Sequence, residues 1–133
     1  AVLAGAPTLV LQPMNGGAKL RRWLYANGWN IVDEALARAG GRLYEIIRAE
    51  RGTAEMPDDA LLHIGACLFE KRDPLLREHI EAKIAKLTRA AEGMNASTTA
   101  RQSEEYREAV SLLTALRTLL VLCRASQPKP PRP

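Results

Sequence analysis

Thr8-Leu9-Val10-Leu11 is a short, continuous apolar run that stops at Gln12-Pro13. Such a run predicts a strand buried on both faces, as in a parallel sheet. Asn15-Gly16-Gly17 predicts a turn. From Ala18 to Asn27 the apolar residues Leu20, Trp23 and Leu24 fall at i, i+3 and i+4, which predicts a helix that Gly28 ends. Lys19, Arg21 and Arg22 lie off that stripe. Trp29 to Leu36 and Arg42 to Glu50 read as two strands, and Ala39-Gly40-Gly41 supplies their hairpin turn. In the second of these, Leu43, Ile47 and Ala49 point one way and Tyr44 and Ile46 the other. A strand apolar on both faces belongs in the interior of a sheet.

After Gly52 the pattern changes. Residues 53–59 are polar and contain Pro57, which predicts a linker, and Leu61, Ile64 and Leu68 predict one short helix over Ala60–Glu70. Asp73-Pro74 reads as a helix start, with Asp as cap and Pro in the first turn. Leu76, Ile80, Ile84, Leu87, Ala91 and Met94 are then spaced 4, 4, 3, 4, 3. Residues 95–99 form a polar turn with several possible caps. Tyr106, Ala109, Leu113, Leu116, Leu120 and Cys123 follow at spacings 3, 4, 3, 4, 3. Two near-heptad stripes joined by a short loop predict an antiparallel helical hairpin. The last seven residues, 127–133, hold four prolines and read as an extended or disordered tail.

The chain therefore divides into an α/β part (1–52), a linker with a short helix (53–73), a helical hairpin (74–126) and the tail (127–133). Three strands and one helix make a poor closed domain, because the first strand presents an open apolar edge. The chain also has no initiator Met. Both points lead to the expectation that it begins inside a longer protein.

At 133 residues, 47% hydrophobic and 26% charged, the composition is that of an ordinary globular domain and excludes collagen-like or wholly disordered structure. No apolar run approaches the ~20 residues that span a bilayer. The net charge of +4 is unevenly spread: residues 1–52 carry 7 basic and 4 acidic side chains, 53–73 carry 2 and 5, and 74–126 carry 8 and 6. That balance permits a polyanionic partner without demanding one. Cys67 and Cys123 sit in apolar runs without CxxC spacing, as buried free thiols of a reducing compartment do.

Five blocks carry a resemblance. They are Leu9-Val10-Leu11-Gln12-Pro13, Leu20-Arg21-Arg22-Trp23-Leu24, Asn27-Gly28-Trp29, Ile31-Val32-Asp33-Glu34 and Tyr44-Glu45-Ile46-Ile47-Arg48-Ala49-Glu50. In order and spacing they resemble the second half of the bacterial tRNA (adenine-22-N1)-methyltransferases, the TrmK type. The likeness continues, less closely, through Ile64-Gly65-Ala66-Cys67-Leu68 and the hairpin, where that family carries a coiled-coil domain. The resemblance implies a class I Rossmann-like methyltransferase fold, S-adenosylmethionine as cofactor, tRNA as partner and a cytoplasmic setting. It makes Thr8–Gln12 the fifth strand of that sheet and the next two the sixth and an antiparallel seventh, inserted between five and six. Met14 stands where the family has Asn directly after Gln-Pro, with Asn15 one place later, and the family's Pro is absent at Ala66. The family's main cofactor-binding loops have no counterpart here, so the fragment alone is expected to be inactive. No catalytic residue is assigned.

The candidate site residues each carry two readings. Gln12, Pro13, Met14 and Asn15 form either a substrate-pocket loop after a strand's carboxyl end or a plain strand-to-helix turn. Lys19, Arg21 and Arg22 contact RNA phosphates or form a solvated helix face. Arg77, Lys83, Lys86 and Arg89 form an RNA-tracking stripe or, with Glu78, Glu81 and Glu92 between them, a salt-bridged surface. His63 and His79 lack partners at metal spacing and are not read as ligands. Trp23 and Trp29 read as sheet-packing residues, and Tyr44 as core, with base stacking as its lesser reading. The rival to the enzyme is a non-catalytic α/β module whose hairpin binds RNA or protein.

Overall fold

The computed structural model describes residues 8–14, 16–95 and 103–126. The chain falls into two compact units, Ala1–Asp73 and Pro74–Pro133. The first contains β1 (Thr8–Leu11), α1 (Gly17–Ala26), β2 (Trp29–Ala39), β3 (Arg42–Arg51), α2 (Asp59–Ile64) and α3 (Ala66–Glu70). The second contains α4 (Leu76–Asn95) and α5 (Glu104–Ser126).

The three strands form one sheet in the order β1-β3-β2, and β3 is antiparallel to both neighbours. β3 lies inside the sheet, as its apolar faces predict. Gly40 and Gly41, with φ of 56° and 77°, make the two-residue turn from β2 to β3, a geometry that needs positive φ at both centres. Leu24, Trp29, Ile31, Ile47 and Ala49 form the core on one face, with Leu9, Leu11, Leu20, Tyr25 and Cys67 packed against it. The Arg51 guanidinium stacks 4.3 Å from the Trp29 ring centre.

β1 is not buried on both faces. Leu9 and Leu11 turn toward the core, but Val10 is 68% exposed. The reason is one-sided cover: the core contacts of α1 and α3 fall on the Ile47 and Ala49 face. On the opposite face Val10, Ile46, Arg48, Asp33 and Ala35 surround a shallow depression of about 200 Å³. Tyr44 is half-buried.

α1 is rotated from its predicted stripe. It buries Gly17, Ala18, Arg21 and Leu24, so Leu20 is only half-buried and Trp23 is 52% exposed. Trp23 therefore does not pack on the sheet. β2 carries an irregularity that its sequence did not announce. Ile31 pairs with Ala49 and Asp33 with Arg48, so Val32 is an extra residue. A bulge of this kind re-aims the side chains beyond it. Trp29 and Ile31 face the core before it, and Glu34, opposite Ile47, faces the core after it.

The single helix predicted over 60–70 is two, broken at Gly65, whose φ is 96°. Asp58 caps α2 by accepting a hydrogen bond from the Leu61 N–H. α3 ends in a Schellman turn: the Asp73 N–H donates to the Leu68 carbonyl and the Arg72 N–H to the Phe69 carbonyl, with Arg72 at φ 54°. The Asp73 N–H thus closes the preceding helix, and α4 begins at Leu76.

In the second unit Ile84, Leu87 and Ala91 of α4 pack with Tyr106, Ala109 and Leu113 of α5. Ser103 caps α5, its hydroxyl accepting from the Tyr106 N–H. Residues 96–99, offered above as caps, and the tail 127–133 lie outside the described residues. Near the other end, the Glu81 carboxylate accepts from Arg77 at 3.1 Å and from Arg124 of α5 at 3.2 Å. Among the described residues no helix is long and apolar enough to cross a membrane.

The hydrogen bonds from Arg77 and Arg124 hold the Glu81 carboxyl below its ordinary value. A depressed folded-state pKa stabilises above the unfolded-state pKa and is lost as pH falls through the folded one. Glu81→Gln is therefore expected to lower the thermal midpoint at pH 7. The gap to the parent should close as pH falls below about 4.3, the ordinary glutamate value. A gap independent of pH would show that the carboxylate charge is not what joins the two helices.

Candidate functional site

Gln12, Pro13 and Met14 follow the carboxyl end of β1, with Gln12 and Met14 exposed and Pro13 half-buried. Open α/β sheets bind ligands beyond that edge. Asn15 lies outside the described residues. Gln12, Pro13 and Met14 carry no titratable group, so they can shape and position but cannot exchange a proton. Gly16, at φ 71°, turns the chain into α1.

Beneath the loop lies a buried ionic cluster. Arg21 is 1% exposed. Its Nε donates to Glu34 Oε2 at 2.7 Å, Nη2 to Glu45 Oε1 at 2.8 Å, and Nη1 to the Leu62 carbonyl at 2.9 Å. Glu34, 2% exposed, also accepts the Cys67 N–H at 3.1 Å. Arg21 therefore joins α1 to β2, β3 and α2, and Glu34 adds α3. Two glycines make room for it. A Cβ on Gly17 would lie 2.9 Å from Glu45 Oε2, and one on Gly65 would lie 2.7 Å from Glu34 Oε2. Arg21 cannot touch RNA phosphates, contrary to the reading that grouped it with Lys19 and Arg22.

Burial and the negative Glu34 beside it push the Cys67 thiol up to about 11 and the Tyr25 hydroxyl, likewise desolvated, to about 12. Both stay protonated at neutral pH. Asp33, the residue after the bulged Val32, is held below its ordinary value by the Lys71 hydrogen bond at 3.1 Å.

The remaining cations divide. Lys19 is exposed, and Arg22 is exposed but ion-paired with Asp59 at 2.7 Å. Arg77 is tied to Glu81. Lys83 is half-buried, whereas Lys86 and Arg89 are exposed. His63 stands 4.0 Å from Asp59 and His79 is buried.

The sequence reading missed Glu34, Glu45 and Gly65. One signal was present: Gly17, Ala18, Arg21 and Leu24 share helical spacing, and small residues one turn before an arginine leave room for its guanidinium to fold inward.

A family profile described as TrmK, tRNA (adenine(22)-N(1))-methyltransferase, matches residues 1–115. The chain belongs to this family.

A Bacillus subtilis (strain 168) tRNA (adenine(22)-N(1))-methyltransferase is 32% identical over 59 residues, covering 44% of this chain and 25% of that protein. A Rossmann-superfamily protein from Streptococcus agalactiae matches with a TM-score of 0.74 at 28% identity, over 90% of this chain and 50% of its own. A Streptococcus pneumoniae protein assigned as a tRNA (m1A22) methyltransferase, solved with S-adenosyl-L-methionine, matches with a TM-score of 0.70 at 27% identity. That match covers 89% of this chain and 49% of the other. The chain thus spans about half the length of these solved relatives and a quarter of the curated one. Arg21, Glu34 and Glu45 fall inside the blocks that carried the TrmK resemblance.

Removing one member of a buried ion pair costs about 3–5 kcal/mol, because its partner stays buried and uncompensated. Arg21→Met is expected to destabilise the first unit by about that much, read as a shift in urea midpoint. Arg21→Lys should recover little, because a single ammonium cannot span three acceptors in fork geometry. Unchanged stability in Arg21→Met would refute the anchoring role.

Proposed function

We propose that this chain is the carboxyl-terminal part of an S-adenosylmethionine-dependent methyltransferase acting on N1 of adenine 22 in tRNA. The observation that carries the reading is the sheet: β3 runs antiparallel between β1 and β2. That arrangement fits the fifth, reversed seventh and sixth strands of a class I methyltransferase, in spatial order. The family match over residues 1–115 supports it. On this reading α4 and α5 are an antiparallel coiled coil that grips the tRNA, and the protein works in the cytoplasm.

The described residues do not by themselves form a cradle for the cofactor. A glycine turn that binds one leaves backbone free for the ligand to approach. Here the space a Cβ on Gly17 would fill is taken by Glu45 and Arg21 of the same chain. The contribution of this part is positioning. Gln12, Pro13 and Met14 border the substrate, and Lys19, Arg22, Arg77, Lys83, Lys86 and Arg89 supply phosphate contacts. Of these, Lys19, Lys86 and Arg89 are the exposed cations without an ion pair among the described residues. Holding a ring nitrogen in line with a methyl donor is an orientation task, and orientation alone is worth several kcal/mol of barrier, on the order of 7–11 at best.

The test is to translate the gene upstream of Ala1 and express the whole reading frame. The complete protein is expected to methylate an unmodified tRNA transcript, seen as a reverse-transcription stop at adenine 22, and to lose that activity on a transcript with guanine there. The 133-residue chain alone should transfer nothing. A stop codon just upstream, or a folded complete protein without transfer, would favour the non-catalytic module. Lys83, Lys86 and Arg89 changed together to Ala should weaken tRNA binding and lower its salt slope by about one per lost phosphate contact. An unchanged slope would remove the hairpin from the RNA interface.

A further inference from the structure

We infer that Trp23 is a stacking platform for an unpaired RNA nucleobase, with Lys19 and Arg22 taking the flanking phosphates. This rests on the tRNA reading above and assigns to α1 a role beyond filling the space beside the sheet. The chain has two tryptophans. Trp29 is 2% exposed and has Arg51 over its ring, whereas Trp23 presents half its surface to solvent. Helical spacing sets Lys19, one turn earlier, beside it. α1, with sequence GAKLRRWLYA, contains no acidic residue. With Arg21 buried, its outer face carries Lys19 and Arg22. The one carboxylate paired there is Asp59, which meets Arg22 at 2.7 Å with both side chains about half exposed. An ion pair that open exchanges readily for a phosphate contact.

Charge decides the occupant. Val121 and Leu122 of α5 are comparably exposed, yet Trp23 is the exposed aromatic with Lys19 one turn away on its own helix face. An exposed indole with Lys19 beside it and Arg22 further round the helix matches a base and its phosphates, since every base offers a π-face and stacking tolerates sequence. The same helix leaves the Gln12–Met14 segment, so Trp23 stands only ~9 Å along the axis from Gly17. A nucleotide stacked there lies close to the loop that borders the reacting adenine.

Fluorescence tests the assignment with the 133-residue chain as it stands. Trp29 is shielded, so acrylamide quenching reports Trp23. The free protein is expected to be readily quenched. An unmodified tRNA transcript should lower the emission and protect it from acrylamide, whereas a fully paired RNA duplex should bind without either effect. Trp23→Ala should weaken tRNA binding about tenfold or more with an unchanged salt slope. Trp23→Phe should keep most of the affinity, and Lys19→Ala should lower the slope by about one. If tRNA binds while Trp23 stays accessible, or Trp23→Ala binds as tightly as the parent, the platform is overturned and the tRNA reading stands. If this chain binds no tRNA, the platform is overturned, and the methyltransferase reading is decided by the complete protein. If Trp23 is already shielded in the free protein, another surface occupies it and the assignment is wrong.

Discussion

A guanidinium taken out of water must find partners for its nitrogens, and much of the first unit is arranged around that demand. Arg21 reaches two carboxylates and a carbonyl on three other elements. Replacing such a cluster by well-packed apolar side chains often leaves stability unchanged or raises it. Its net contribution to stability is therefore small, and its effect is on geometry. An apolar contact between α1 and the sheet tolerates sliding. A fork-shaped donor set held by two fixed carboxylates does not. Gly17 and Gly65 answer to it, because a Cβ at either position would collide with the cluster.

Much of the fold was legible in the sequence for a simple reason: strand and helix periods are written in apolar residues. The interior place of β3 followed from Leu43, Ile47 and Ala49 set against Tyr44 and Ile46. The glycine pair at 40–41 announced the hairpin. What failed was the treatment of charge. Placing Arg21 on the solvent side rotated α1 by one position and turned Trp23 inward, whereas Trp23 is outside and Arg21 inside. The burial of β1 on both faces also failed, since periodicity describes what a strand can bury and not whether a covering layer is present.

The site followed the same division. The loop after β1 could be located because a strand end beside a turn is a local signal. The anchor beneath it could not, because Glu34, Glu45 and Arg21 are 11 to 24 residues apart and meet only through tertiary structure. The candidate cations show how coarse a charge count is. Seven were grouped as RNA contacts; one is the centre of the buried ionic cluster, two are paired with carboxylates, one is half-buried, and three stand open.

Val32 shows where β2 can change length. It is the one surplus residue of the strand: without it Asp33 would still pair with Arg48 and Glu34 with Ile47, so the ladder would run regular and the anchor would keep its inward carboxylate. Straightening the strand with Val32 kept is what would move Asp33 opposite Ile47 and send Glu34 outward. The hairpin tip is the second such place: a Cβ on Gly40 or Gly41 would meet nothing within 4 Å. Length variation in this hairpin therefore belongs at its tip or at the surplus residue, and the remaining pairs of the strand are held in step with β3.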